Sequence, residues 1–419
     1  MPHNANWKRN VGFFIGGQFL SLFGSMLVQF AITWQITLQT QSGVIMSMFS
    51  CASLLPMVII SPFAGVWADR YNRKYLINIS DGIIALVTAL LAILMLFGYQ
   101  NIWLMLGAVA VRSFGQGVQQ PAVNALVPQI VPAEHLTRVN GIQGTVQAFT
   151  TFASPMLAGA LLTFLPIQYI LLIDVVTALI GMLVVLFFVH VKQPNRHEAQ
   201  KVSSYFSELK SGVKYIANTP WLKVLMMFSA VFSILSAPAC LLTPLQVTRS
   251  FGDDVWRLSA LEIVFSVGMI VGGIGISVWG GFKNKVYTVL FACTLLGVTT
   301  ILLGLVPNFF AYLLVLIVCG ASIPICNTPI MTVLQTNIDP QIMGRVFSFA
   351  SMIGGLAMPL SMVIFGPLAD KVSIEILLIA TGAMITFSGI ALKLSKSLMV
   401  VGAAKGTEQQ ENEAQEKGA

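Results

Sequence analysis

Gly65-Val66-Trp67-Ala68-Asp69-Arg70-Tyr71-Asn72-Arg73-Lys74 joins two apolar runs, one near residues 43 to 67 and the other near 75 to 97. Each run is long enough for a helix across a bilayer core, which takes roughly 20 apolar residues. A short basic connection between them predicts a helical hairpin through a membrane, with its charged turn held in water. Working outward, similar runs lie near 11 to 35, 102 to 120, 141 to 164 and 168 to 190. A second set lies near 221 to 246, 257 to 280, 286 to 305, 309 to 330, 343 to 368 and 374 to 395. The reading is an all-α integral membrane protein of twelve spans, an even number that puts both termini on one side.

Composition agrees. Of 419 residues, 56% are hydrophobic and 9% charged, and the mean hydropathy of +0.83 excludes a water-soluble globular chain of this length. A net charge of +7 would suit a nucleic-acid binder, but the basic residues are scattered one to three per loop, so no nucleic-acid partner is expected. Placing the N-terminus in the cytoplasm puts 19 Lys and Arg inside and only Arg249, Arg257 and Lys371 outside, with Arg112 left within span four. That asymmetry fixes the orientation by the positive-inside rule. Trp7-Lys8-Arg9 before an apolar run imitates a signal peptide, but the run passes Ala31 without a small-residue cleavage site and reads as a retained span. The five cysteines lie inside apolar runs with no C-x-x-C spacing, so neither a disulfide framework nor a metal site is expected.

The chain divides into a six-helix half over 1–190, a cytoplasmic linker over 191–220, a second half over 221–396 and a disordered cytoplasmic tail over 397–419. In the linker, Tyr205, Phe206, Leu209, Val213 and Ile216 recur at helical spacing among Lys201, Lys210 and Lys214, the pattern of an amphipathic helix on the inner membrane surface. The halves echo each other. Pro121 and Pro132 bracket the inner end of span four, and Pro329 and Pro340 that of span ten, at an offset of 208. Duplicated halves are the architecture of alternating-access carriers, with the site between them near mid-bilayer.

The stretch from Gly65 to Lys74 resembles the G-x-x-x-D-R-x-G-R-R signature of the major facilitator superfamily, with Asn72 in place of the usual glycine. Asn tolerates a left-handed backbone, so a glycine-like turn can survive there. The resemblance implies a latch in which Gly65 lets two helices approach and Asp69 faces the positive start of span eleven near Gly344 and Arg345, with Arg70, Arg73 and Lys74 beside it. The alternative is that these basic residues only anchor topology. Arg112 with Gly115 and Gly117 resembles the arginine motif of proton-coupled members. Ser154-Pro155 with Ala158-Gly159 partly resembles the Gly-Pro motif of the antiporter branch. Trp34, Leu126-Val127-Pro128, Val131-Pro132 and Gly344-Arg345-Val346-Phe347-Ser348 resemble bacterial macrolide-efflux proteins, which implies exchange of drug for protons across a bacterial cytoplasmic membrane.

Three acids, Asp81, Asp174 and Glu262, lie within spans. An ionised Asp or Arg there costs about 2.5 to 3.5 kcal/mol on insertion scales, so each needs a partner, a wet cavity or a proton. Glu262 is the first choice of proton carrier, with Arg112 tuning it or another acid. Asp81 and Asp174 are proton-coupling candidates that could equally pair with a neighbouring polar group. Polar stripes run through span one (Gln18, Ser21, Ser25, Gln29), span four (Arg112, Gln116, Gln120) and span seven (Ser229, Ser233, Ser236, Cys240). They read as cavity walls facing substrate or as interhelical hydrogen bonding.

No phosphate loop or soluble domain is present in the sequence, so ATP drive, a cofactor and an enzymatic activity are not expected. The reading is a monomeric secondary carrier in the lipid bilayer that exports small amphipathic molecules in exchange for protons. A metabolite carrier of the same fold is the alternative, and a membrane enzyme or receptor a more distant one.

Overall fold

The computed structural model describes residues 7–191 and 205–403. All regular structure in them is helical: α1 (Trp7–Thr40), α2 (Gly43–Arg70), α3 (Arg73–Leu96), α4 (Ile102–Ile130), α5 (Leu136–Phe164) and α6 (Ile167–Phe188), then α7 (Tyr205–Asn218). There follow α8 (Pro220–Leu241), α9 (Thr243–Ser250), α10 (Val255–Trp279), α11 (Lys285–Leu305), α12 (Phe309–Asn337), α13 (Pro340–Ala369), α14 (Ile374–Ala391) and α15 (Lys396–Ala403). Among the described residues, 11 helices are long and apolar enough to cross a membrane, α8 and α9 counting as one. The twelfth expected span, α4, has 29 residues but is diluted by Arg112, Gln116, Gln119, Gln120 and Asn124. Its length is that of a span, and its polar side chains need partners or water inside a bilayer.

Local chemistry sets the ends. Asn72, Asn101, Asn284 and Asn308 each accept a hydrogen bond from a backbone N–H of the first helical turn, starting α3, α4, α11 and α12. These are the third and fourth spans of each set of six, so the caps are duplicated together with the helices. Pro121 and Pro329 lie inside α4 and α12, whose ends fall before Pro132 and Pro340. Span seven breaks at Leu242, just ahead of Pro244, which supplies no N–H to continue the ladder. Two prolines, Pro56 and Pro62, interrupt the backbone ladder of α2.

The chain forms two compact units. The first holds residues 1–41, 45–202 and 253–259, and the second 42–44, 203–252 and 260–419. In the first, α1 packs on α5 and α6, and α3 on α4 and α6. In the second, α8 packs on α13 and α14, and α11 on α12 and α14, the same four pairings six spans later. Glycine makes one pairing in each unit very close. A Cβ on Gly181 of α6 would stand 2.7 Å from the carbonyl oxygen of Gly17 on α1, and one on Gly382 of α14 would stand 2.6 Å from that of Gly297 on α11.

The tail departs from expectation. Residues 396–403 form α15, with Leu398 and Gly402 buried, because Leu398, Met399, Val400 and Val401 keep it apolar; residues from 404, including the Lys405 segment, lie outside the described ones. In the linker, α7 spans Tyr205–Asn218 and packs on α13 and α8, with Ile216 buried and Val213 exposed. Lys201 and the side chains of Tyr205, Phe206, Leu209 and Lys210 lie outside the described part.

A Gly181→Val substitution should lower stability by about 1 to 3 kcal/mol through overpacking, and Gly382→Val by a similar amount. Gly12→Ala, where an added Cβ meets nothing within 4 Å, should be silent. Thermal unfolding in detergent micelles compares the three; equal midpoints for Gly181→Val and Gly12→Ala would refute the close packing.

Candidate functional site

The buried charge of the first unit is concentrated where α1, α3, α4 and α6 meet. Arg112 and Asp174 are 2% and 0% exposed, and Arg112 Nη1 lies 2.5 Å from Asp174 Oδ2. Arg112 Nη1 also donates to Thr88 Oγ1. Its Nη2 donates to the carbonyl of Ser25 at 3.3 Å, and Ser25 Oγ donates to Asp174 Oδ1 at 3.4 Å. Arg112 Nε has no acceptor. The pair is neutral overall and hydrogen-bonded on both sides, which is the condition for keeping two charges in a low-dielectric interior. Arg112 therefore has Asp174 as its counter-charge.

Asp81 forms a second node. Ser21 Oγ on α1 donates to its Oδ1 at 3.0 Å, and Gln119 Nε2 on α4 at 2.6 Å. One turn away along the same helices, Gln18 Nε2 and both amide atoms of Asn78 are buried without a hydrogen-bond partner. Polar atoms of that kind are normally met by water. Gln119 was not among the sequence candidates. Its only signal was its spacing with Gln116 and Gln120, in a run where any glutamine could have faced inward.

Glu262 sits in α10, half-buried, near enough to Cys240 of α8 to interact with it electrostatically. Among the described residues it makes no hydrogen bond or ion pair, unlike Asp81 and Asp174. The polar stripes separate into two kinds. Ser25 is tied to Asp174, and Ser236 donates to the carbonyl of Phe232 in its own helix. Gln29, Gln116, Gln120 and Ser233 are at least partly exposed and have no side-chain hydrogen bond within the described protein.

In the charged turn, Asn72 has φ −66° and ψ 113°. It is not left-handed: it caps α3 by accepting from Lys74 N at 3.0 Å, a role Asn fills and glycine cannot. Gly65 allows no close approach, since a Cβ there would meet nothing within 4 Å. Arg73 donates to the carbonyls of Ala68 and Ala125 at 2.9 and 3.0 Å. Lys74 Nζ donates to those of Leu186 and Val189, at 2.6 and 2.7 Å. These cations thus satisfy carbonyls near the ends of α2, α4 and α6. They sit beside an apolar cluster that includes Phe14, Ile77, Leu126 and Val185. Arg70 is exposed; the Asp69 side chain lies outside the described part. Gly344 and Arg345 are exposed near the start of α13, where Gly212 of α7 lies against Arg345.

Sequence reasoning missed Asp370, just past α13. Its Oδ1 accepts from Gly43 N at 2.7 Å and its Oδ2 from Val44 N at 2.9 Å and Ser42 Oγ at 2.9 Å. Arg249 Nη2 lies 2.7 Å from Oδ1, and Arg249 Nη1 donates to the carbonyl of Ala369 at 2.7 Å. Partial burial pushes the Asp370 carboxyl up, but the hydrogen bonds from Gly43, Val44, Arg249 and Ser42 outweigh it and hold the pKa below the ordinary carboxylate value. It stays ionised at neutral pH.

The sequence model of the Major Facilitator Superfamily matches residues 14–362. Macrolide efflux protein A of Streptococcus pyogenes is 28% identical over 387 residues, covering 92% of this chain and 95% of that protein. The protein of the same name from Enterococcus faecalis is 28% identical over 323 residues, covering 77% of this chain and 99% of its own. A crystal structure of a mutant of the nucleoside transporter NupG superposes with a TM-score of 0.71 at 15% identity, covering 92% of this chain and all of that one.

The buried pair predicts an asymmetry. Arg112→Met alone should cost about 3 to 5 kcal/mol by stranding Asp174, whereas adding Asp174→Leu should restore most of it. Unfolding in detergent compares the single and double variants; a single variant as stable as the wild type would disprove the pairing.

Proposed function

This chain belongs to the major facilitator superfamily, a family of membrane transporters, and we propose that it exports amphipathic drugs, macrolide-like antibiotics foremost, in exchange for protons by alternating access. The observation that carries the reading is its full-length similarity to macrolide efflux proteins, joined to charged and amide side chains placed inside apolar helices. The protein acts as a monomer in the bacterial cytoplasmic membrane. Both termini are cytoplasmic, as the excess of basic residues on that side requires, and six-helix halves over 1–190 and 221–396 rock about a central cavity.

Gln29, Gln116, Gln120 and Ser233 line that cavity, with Gln18 at its inner end. An amide without a protein partner is costly in hydrocarbon, so these side chains belong where water or a drug's hydroxyl and carbonyl groups can reach them. Ser25 and Ser236 are engaged already and contribute shape. Residues of the charged turn, Gly65 to Lys74 with Arg345 opposite, act as the inner latch, in which Arg73 and Lys74 stiffen the helix ends that Asp69 must rely on.

Glu262 is the proton carrier. Among the described residues an anion there has no ion-pair or hydrogen-bond partner, so taking up a proton removes an uncompensated charge. Arg112 is committed to Asp174 and fixes the first unit, while Asp81, held by Ser21 and Gln119, is the second candidate. Protonation of Glu262 from outside displaces drug and permits inward rocking; proton release inside permits drug capture. One proton moving through 100 mV gains about 2.3 kcal/mol, and one pH unit adds about 1.4 kcal/mol. Together these sustain roughly a 500-fold gradient of a neutral drug.

In an efflux-deficient bacterium, expression should raise the inhibitory concentration of macrolides, and a protonophore should abolish the difference. In proteoliposomes, Glu262→Gln should eliminate drug movement driven by a pH gradient while leaving drug binding intact. Undiminished gradient-driven export by that variant would transfer the role to Asp81; competition by nucleosides or organic acids but not by drugs would replace the substrate class.

A further inference from the structure

Within the first unit, Asp81 differs from Asp174 in having no counter-charge. Both acids are buried, and they lie near enough to interact electrostatically. Arg112 neutralises Asp174. Among the described residues no cation pairs with Asp81, whose two hydrogen bonds come from the neutral Ser21 and Gln119. Both bonds fall on Oδ1, which leaves Oδ2 unbonded. Arg112, Asp174 and an ionised Asp81 together carry one uncompensated negative charge inside an apolar bundle, a state that calls for a cation close by.

The layer beside Asp81 is polar and unmet. Ser21 on α1 meets Asp81 on α3, and further along the same two helices Ser25 and Thr88 both meet the Arg112–Asp174 pair, so α1 and α3 run in the same direction. Gln18 and Asn78 stand three residues before Ser21 and Asp81 and share the next layer on the same helix faces. There Asn78 Oδ1 and Nδ2 and Gln18 Nε2 are buried with no hydrogen-bond partner. Orphaned amides are costly in such a place, and beside an uncompensated carboxylate they line a site for a polar, positively charged ligand. On the side away from Asp81, Phe14 and Ile77 belong to a buried apolar cluster that bounds this layer.

We propose that Asp81, Asn78 and Ser21 bind a sodium ion inside the first unit, as the counter-charge that holds α1, α3 and α4 together. Its ligands are oxygens: Asp81 Oδ2, Asn78 Oδ1 and a lone pair of Ser21 Oγ. The amide N–H groups of Gln18 and Asn78 donate to waters that complete the shell. Oxygen donors select a hard cation, and among the described residues no group of three His, Cys, Asp or Glu is placed to hold a transition metal. One uncompensated carboxylate matches a single positive charge. Close packing favours sodium over the larger potassium: a Cβ on Gly115 of α4 would stand 2.7 Å from Ile84 of α3, and one on Gly17 of α1 would stand 3.1 Å from the carbonyl oxygen of Gly181 on α6. A proton on Oδ2 would also neutralise Asp81, but it would leave the amide donors of Gln18 and Asn78 unmet, whereas a partly hydrated ion meets donors and acceptors together. Gln18 is partly exposed and marks the way in. The site stands apart from the export reading and leaves Glu262 its proton.

The test uses the purified full chain in detergent at fixed pH and ionic strength, with choline replaced by Na+ or, separately, by K+. Between about 1 and about 100 mM Na+ the unfolding midpoint should rise by about 4 °C, the response of a site half filled at a few millimolar. K+ should give a clearly smaller rise, and binding of radioactive sodium should saturate at a single ion per chain. Asp81→Asn should abolish both signals. Asn78→Ala should weaken Na+ binding about tenfold and lower the midpoint more in Na+ than in choline, where the amide has no partner to lose. That difference decides the matter even if Asp81→Asn does not fold. A midpoint that follows ionic strength alone, or a Na+ response kept in full by Asn78→Ala, overturns the site. So does a protein stabilised by acid and indifferent to Na+, which assigns Asp81 a proton instead.

Discussion

Hydrocarbon offers a polar group no solvent, and the helix ends and intramembrane charges of this chain are arranged around that constraint. Arg112 and Asp174 occupy the interior of the first unit as a hydrogen-bonded pair, with Ser25 and Thr88 bonding to both partners and only Arg112 Nε left without an acceptor among the described residues. Because the pair draws on α1, α3, α4 and α6, it fixes the mutual rotation of those helices as well as their spacing. The Gly17 and Gly181 contact supplies the spacing, and the ion pair supplies the register. Turned by one residue toward the place of Val111, which is 40% exposed, Arg112 would leave Asp174 and the buried interior.

The same constraint sorts the remaining polar groups by whether they are finished. Asp174, Ser25 and Ser236 have their partners within the protein. Among the described residues, Glu262 and the amides of Gln29, Gln116 and Gln120 have no hydrogen-bond partner, and each is at least partly exposed. Under the proposed exchange of drug for proton, the bonded groups hold the scaffold and the open ones are those left for proton and drug.

Much of this was legible in the sequence. Apolar run lengths gave the spans, and paired prolines gave the duplication, because both depend on local composition. The family signature was equally local. The motif suggests a glycine-like left-handed turn at Asn72, whereas Asn72 is a cap with φ −66°; a side chain that bonds two residues ahead changes the geometry a motif demands. The motif implies a close approach at Gly65, whereas a Cβ there would meet nothing within 4 Å. The partnership of Arg112 with Asp174 and the bonds of Asp370 to residues 42–44 could not be read, because these groups are separated by 62 and more than 300 residues. Which distant acid meets which cation is decided by helix packing, and spacing along the chain carries no record of it.

The polarity of α4 has a consequence for how the protein is made. Arg112 leaves the ribosome 62 residues before Asp174 does, so at about 5 to 20 residues per second the cation exists for several seconds without its anion. During that interval α4 is a weakly apolar segment carrying an unneutralised guanidinium, the kind an insertion channel releases reluctantly. Its settling in the bilayer therefore waits for α6, and biogenesis of the first half is obliged to proceed as a late, joint integration instead of one segment at a time.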